Sequence, residues 1–95
     1  MKTNVFSLVS PRTGRAVPNQ FVIIEDGVKY FKSYSTIIAK IEKGVITLDS
    51  EMWAYSRTTI KYLIEFLNCY NMNVFGVDSI RKAIAQNEIK LSNLN

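Results

Sequence analysis

Phe21-Val22-Ile23-Ile24-Glu25-Asp26-Gly27-Val28-Lys29-Tyr30-Phe31-Lys32-Ser33-Tyr34 is the stretch that decides the fold. A short run of β-branched and aromatic residues is closed by Glu25-Asp26-Gly27, and a second such run follows. Asp-Gly between two such runs is the strongest short-range hairpin signal, because a tight type I′ turn needs positive φ at both central residues. The spacing therefore predicts two antiparallel strands, Phe21–Ile24 and Val28–Tyr34. Side chains alternate along a strand. Lys29, Phe31 and Ser33 then share one face of the second strand, and Val28, Tyr30, Lys32 and Tyr34 share the other.

Upstream, Val5-Phe6-Ser7-Leu8-Val9 is β-rich and stops at Ser10-Pro11. The segment Pro11 to Pro18 holds both prolines, Gly14, Arg12 and Arg15, and its turn chemistry predicts an exposed loop. Downstream, Ser35 to Ile41 reads as a strand in which Ile37, Ala39 and Ile41 alternate, with Ile38 and Lys40 facing opposite. Ile37, Ile38 and Ile41 also fit one helical turn. Glu42-Lys43-Gly44 forms the next turn and Val45–Leu48 the next strand.

The second half changes period. Asp49 and Ser50 are good N-cap types for a short helical turn over Glu51–Tyr55, and Ser56, Thr58 and Thr59 offer the next cap. Ile60, Leu63, Ile64 and Leu67 then fall at i, i+3, i+4 and i+7, an apolar stripe on a helix of about four turns. Tyr62 and Phe66 widen it. Asp78 or Ser79 caps a second helix with Ile80, Ala83 and Ile84 inward and Arg81 and Lys82 outward. Asn87 suits its C-terminus. Ile89 and Leu91 alternate with Lys90 and Ser92, as in a short closing strand. The order predicts an α+β protein: an antiparallel sheet of about four to five strands, then two helices packed on one face. The 95 residues form one domain, 1–95.

Composition narrows the chemistry. At 47% hydrophobic and 21% charged the chain is an ordinary globular one. It has no His, which removes the usual general base and the commonest metal ligand. One cysteine, Cys69, excludes an internal disulfide and reads as a small, partly buried filler. The glycines are isolated, so no phosphate-binding loop is present. Glu25 and Asp26 are adjacent in a turn, where both carboxylates are solvated. An enzyme's roles cannot be filled from this inventory, and neither a cofactor nor a metal is expected. No apolar run reaches the roughly 18 residues of a membrane helix, and Ser7, Ser10 and Arg12 interrupt any signal-peptide core. The expectation is a soluble, cytoplasmic domain.

The net charge of +4 lies wholly in residues 1–43, where seven Lys and Arg face three carboxylates; the remainder holds five of each sign. Tyr30, Lys32 and Tyr34 share a strand face, and Arg12 and Arg15 sit on a loop that could fold nearby. These five residues are the expected partner-binding surface. Rings for stacking and cations for phosphate also suit single-stranded nucleic acid. Yet the RNA-recognition strand pattern is missing, and Tyr fits any half-buried pleat. Trp53, Tyr55, Tyr62, Phe66 and Tyr70 are expected chiefly to close the core between sheet and helices.

Two stretches carry a resemblance. Phe31-Lys32-Ser33-Tyr34 leads to Ile38-Ala39, and Trp53-Ala54-Tyr55-Ser56-Arg57-Thr58-Thr59 leads to Phe66-Leu67. Over about residues 19–68 this resembles a family of short proteins of bacteriophages and conjugative elements with a Phe-x-Ser-Tyr…Ile-Ala…Trp-x-Tyr-Ser-x-Thr-Thr…Phe-Leu motif. The resemblance implies a phage or mobile-element origin. By association it implies a non-enzymatic protein that binds and blocks a host-defence protein (CRISPR-Cas or similar) in the bacterial cytoplasm, away from the membrane. The alternative is a small nucleic-acid-binding accessory or regulatory protein using the basic N-terminal half. The motif also has a structural reading: Trp53 and Tyr55 anchor the helix start, and Ser56, Thr58 or Thr59 accept from its free N–H groups.

Overall fold

Asp26 and Gly27 both take positive φ, 50° and 83°, in the tight turn their sequence requires. Around that turn the computed structural model, which describes residues 3–10, 12–70 and 72–95, orders eight elements. They are β1 (Thr3–Val9), β2 (Ala16–Glu25), β3 (Val28–Ser33), β4 (Thr36–Glu42), β5 (Val45–Asp49), α1 (Arg57–Cys69), α2 (Val77–Ala85) and β6 (Ile89–Ser92). The strands form one sheet in the order β1-β2-β3-β4-β5-β6. The first five make an antiparallel meander. β6 pairs parallel to β5, from Ile46↔Ile89 to Asp49↔Ser92. Parallel neighbours need a long crossover, and both helices supply it. The α+β class is as expected. The sheet has six strands rather than four to five, because the closing segment pairs fully.

Both helices cover the same face. Val22, Phe31, Ala39, Ile41, Leu48 and Ile89 from the sheet meet Leu63, Phe66, Leu67, Ile80 and Ala83 from the helices in one buried cluster. Phe66 stacks on Phe31 with ring centroids 5.6 Å apart, and Tyr70 meets Phe66 edge-on at 5.3 Å. Trp53 is buried beneath the Arg81 guanidinium, 5.8 Å from its ring. Tyr62 packs against the same cluster. Only Tyr55 of the five expected core aromatics lies outside, 48% exposed.

Three local expectations are corrected, and one set of alternatives, the α1 cap, is resolved. The loop expected over 11–18 is shorter. Pro11 lies outside the described residues, and Ala16–Pro18 already belong to β2, with Val17 buried. Ser10 N–H donates to the Arg15 carbonyl at 2.9 Å and Gly14 N–H to the Ser10 carbonyl at 2.8 Å, which closes the turn. The β1–β2 register jumps from Ser7↔Phe21 to Val9↔Ala16, and Pro18 falls in the unpaired stretch, where its missing N–H costs nothing.

Ile38 does not face away from the core. The β3–β4 register shifts between Phe31↔Ala39 and Lys32↔Ile37, so Ile38 is the extra residue of a bulge. Ile38 and Ala39 are both fully buried, and the alternation changes phase there.

Helix α1 begins at Arg57 and is capped by Ser56, not by Thr58 or Thr59. Ser56 Oγ accepts the Thr59 N–H at 3.1 Å and donates to Thr59 Oγ1 at 3.0 Å. Thr59 is buried, and its hydroxyl lies 3.5 Å from Ser33 Oγ on β3. Part of the Trp53–Thr59 stretch is thus accounted for as a helix start fastened to the sheet. Ser56→Ala should cost about 1 kcal/mol. Thermal unfolding should show a fall of roughly 4–8 °C, and an unchanged midpoint would show that the cap is idle.

The buried residues of α1 are Thr59, Leu63, Phe66 and Leu67. Ile60 and Ile64, expected in the core stripe, are only half-buried. The Phe66 ring on Phe31 and the Thr59 hydroxyl set against Ser33 turn the helix away from the phase that its aliphatic residues alone suggest.

Candidate functional site

Covering one face of a sheet leaves the alternate side chains of every strand on the other. Register sets them in rows. One row runs Val5, Ile23, Tyr30, Lys40, Thr47, Lys90 across all six strands; the next runs Ser7, Phe21, Lys32, Ile37. Each aromatic ring therefore lies beside a lysine: Phe21 opposite Lys32, Tyr30 opposite Lys40. Phe21, Ile23, Tyr30, Lys32 and Ile37 are half-buried by their neighbours, and Val5 is 59% exposed. Both described helices lie on the opposite side.

Charge on this face is graded. Lys40 Nζ lies 3.5 Å from Glu42 Oε1. Among the described residues Lys32 and Lys90 form no ion pair. Glu25 and Glu42 sit toward the end that carries the Asp26-Gly27 turn. The centre is thus apolar and cationic, and one end is acidic.

The five expected site residues separate into two groups. Tyr30 and Lys32 are together at the centre of the open face. Tyr34 lies beyond the end of β3, in a turn with φ 56°, 55% exposed. Its N–H donates to the Asn19 carbonyl at 2.7 Å, which holds a bulky residue in a left-handed conformation that it seldom adopts. Arg12 and Arg15 are exposed at the β1–β2 tip. That tip and the Tyr34 turn lie at the same end of the sheet, as the strand directions require. No cation–π contact joins either arginine to Tyr30 or Tyr34. The expectation that the loop folds against the strand face is met only as a shared end. Phe21, Ile23, Ile37, Lys40 and Lys90 belong to the face and were not foreseen. Phe21 and Ile23 alternate with Val22 and Ile24, but only cross-strand register sets them beside Tyr30 and Lys32.

At the same end, Asp49 is a buried carboxylate with several partners. It accepts the Met52 N–H at 2.9 Å, the Leu94 N–H at 2.8 Å and Asn95 Nδ2 at 3.2 Å. Asn95 in turn takes the Ile37 N–H at 2.9 Å and donates to the Ile37 carbonyl at 3.0 Å. Burial alone raises the Asp49 pKa, but these donors outweigh it and hold the carboxyl below its ordinary 3.8. Asp49 therefore stabilises the fold fully above the ordinary value and loses that contribution as pH falls through its lowered folded value. The melting temperature should drop in acid. Asp49→Asn should start lower and flatten part of that drop; equal slopes for the two proteins would remove Asp49 from the account.

Among the described residues, no group of three or more Asp, Glu or Cys gathers as a metal site would. Ser79 and Lys82 have Ser-x-x-Lys spacing, yet Ser79 Oγ accepts the Phe75 N–H at 3.4 Å and shows no bond to Lys82. Cys69 is exposed rather than partly buried. Among the described residues no helix is long and apolar enough to cross a membrane.

Fold and face together define a small α+β domain with a bare sheet surface. The chain belongs to a family of unknown function, DUF8033, whose model matches residues 6–86, from β1 to the end of α2. No curated protein and no solved structure matches it.

Proposed function

We propose that this is a non-enzymatic binding protein that uses the bare face of its sheet to contact and occlude a partner protein. The supporting observation is the cluster of Phe21, Ile23, Tyr30 and Ile37 set among Lys32 and Lys40 with no described element over it. Antiparallel sheets commonly leave one face to solvent, but that face is then usually polar. Here it is aromatic and aliphatic at the centre with charge around it, which is the anatomy of a protein interface. The resemblance to short proteins of phages and conjugative elements extends the proposal. The partner is then a host-defence protein, and the place of action is the bacterial cytoplasm.

A second reading has its own observation. The pairing of each ring with a lysine suits stacking of bases and neutralisation of phosphates on single-stranded nucleic acid. Salt separates the two. Three lysines on single-stranded phosphate give a log–log salt slope of about −2, whereas an apolar interface depends far less on salt. Affinity capture from a lysate of the source organism, with and without nuclease, is the test. A protein retained after nuclease and at raised salt is the expected result. Capture abolished by nuclease, together with oligonucleotide binding of that slope, would move the assignment to nucleic acid.

A further inference from the structure

We infer that the groove between α1 and the start of α2 is a second docking site, made for a carboxylate-bearing apolar segment of a partner protein. The groove is shallow and open to solvent, holds about 510 Å³, and is lined by Ile60, Ile64 and Val77 together with Arg57 and Lys61. It exists because α1 turns Leu63, Phe66 and Leu67 into the core and leaves Ile60 and Ile64 on a second apolar strip.

The charges say which segment fits. Arg57 occupies the first position of α1, where the partial positive charge of the free N–H groups repels a cation. The first turn of α1 holds no acidic residue. Lys61 stands one turn further on the same strip, and neither side chain forms an ion pair among the described residues. Lys61 Nζ lies 5.2 Å from the Tyr62 ring and Glu65 follows it by one turn, so Arg57, which pairs with no described acid and which the helix start disfavours, is the cation that an acidic partner would satisfy. Glu65 lines the far end. The field therefore runs from positive at Arg57 to negative at Glu65 over about 12 Å, eight residues of helical rise. That length takes two turns of a helix or about four extended residues. The occupant's carboxylates lie over Arg57 and Lys61, and its apolar side chains over Ile60, Ile64 and Val77.

The probe is a displayed library of random twelve-residue peptides, panned on the full chain and counter-selected on an Arg57→Glu/Lys61→Glu variant. Enriched peptides should combine Asp or Glu with large apolar residues. Each, made synthetically, should lose at least tenfold in affinity for the variant and keep its affinity for Tyr30→Ala, whose change lies on the opposite face. Amide shifts on binding should centre on residues 57–65 and 76–77. Arg57→Glu alone should melt a few degrees higher, since a carboxylate then sits at the helix start and one turn before Lys61. A fall in its melting temperature would show that Arg57 serves the fold and would overturn the proposal. Enriched peptides without carboxylates, or shifts confined to other surfaces, would do the same. So would self-association lost in the variant, which would give the groove to a second copy of the chain.

Discussion

Phe66→Ala is expected to cost about 3–5 kcal/mol, the usual range for emptying a fully buried phenylalanine site. Phe66 is fully buried, stacks on Phe31 and is met edge-on by Tyr70, so its ring joins the sheet to α1 and cannot be replaced by collapse of one neighbour. The whole domain is held by something like 5–15 kcal/mol. Thermal unfolding followed by circular dichroism should therefore show a fall of at least about 12 °C. Phe66→Leu, which keeps the apolar volume in part, should lose clearly less. A fall under about 5 °C for the alanine variant would mean that the ring is not central to the core.

The same residue marks how far the sequence could be read. The strands of the first half were legible because turn chemistry punctuates them: Asp26-Gly27 and Lys43-Gly44 take the positive φ values that their positions need. Both helices were legible from their 3.6-residue period, and Asn87 adopts the left-handed conformation expected at the second helix's end. What periodicity could not give was phase. Ile60, Leu63, Ile64 and Leu67 make a good stripe on paper, but a stacked Phe31–Phe66 pair and Thr59 set against Ser33 decide which side of α1 goes in. Those are contacts between residues far apart in sequence. The Ile38 bulge is a second case, since a register shift depends on both strands.

The candidate site was legible in its centre and not in its extent. Alternation within β3 is local, so Tyr30 and Lys32 were placed on one face from sequence alone. Their neighbours Phe21, Ile37 and Lys40 come from β2 and β4, and register decides which of their side chains stand opposite. Arg12 and Arg15 were linked to the face by charge alone. Charge has no direction, and the structure sets them at the sheet's end beside the Tyr34 turn instead of on its centre.

Tyr30→Ala/Lys32→Glu is the second large expected effect. Both side chains are half-buried on a face that no element covers, so the variant should fold and melt within a few degrees of the parent. Its binding should be severely reduced. A tyrosine at the centre of an interface is a typical hot spot, and its loss costs about 2 kcal/mol or more, roughly thirtyfold in affinity. The lysine reversal adds a repulsion that mainly slows association. Arg12→Glu/Arg15→Glu, at the end of the sheet, should slow association without that loss of residence time. A folded Tyr30/Lys32 variant that holds the partner as tightly as the parent would remove the sheet centre from the interface.

Site-directed photo-crosslinking tests the bare face most directly. A benzophenone side chain in place of Phe21 lies at the centre of that face, and one in place of Lys82 lies exposed on the helical side, outside the α1–α2 groove. With the captured partner present, a covalent protein–protein adduct should form from position 21 and not from position 82. Adducts from position 82 with none from position 21 would contradict the assignment of the open sheet face as the contact surface.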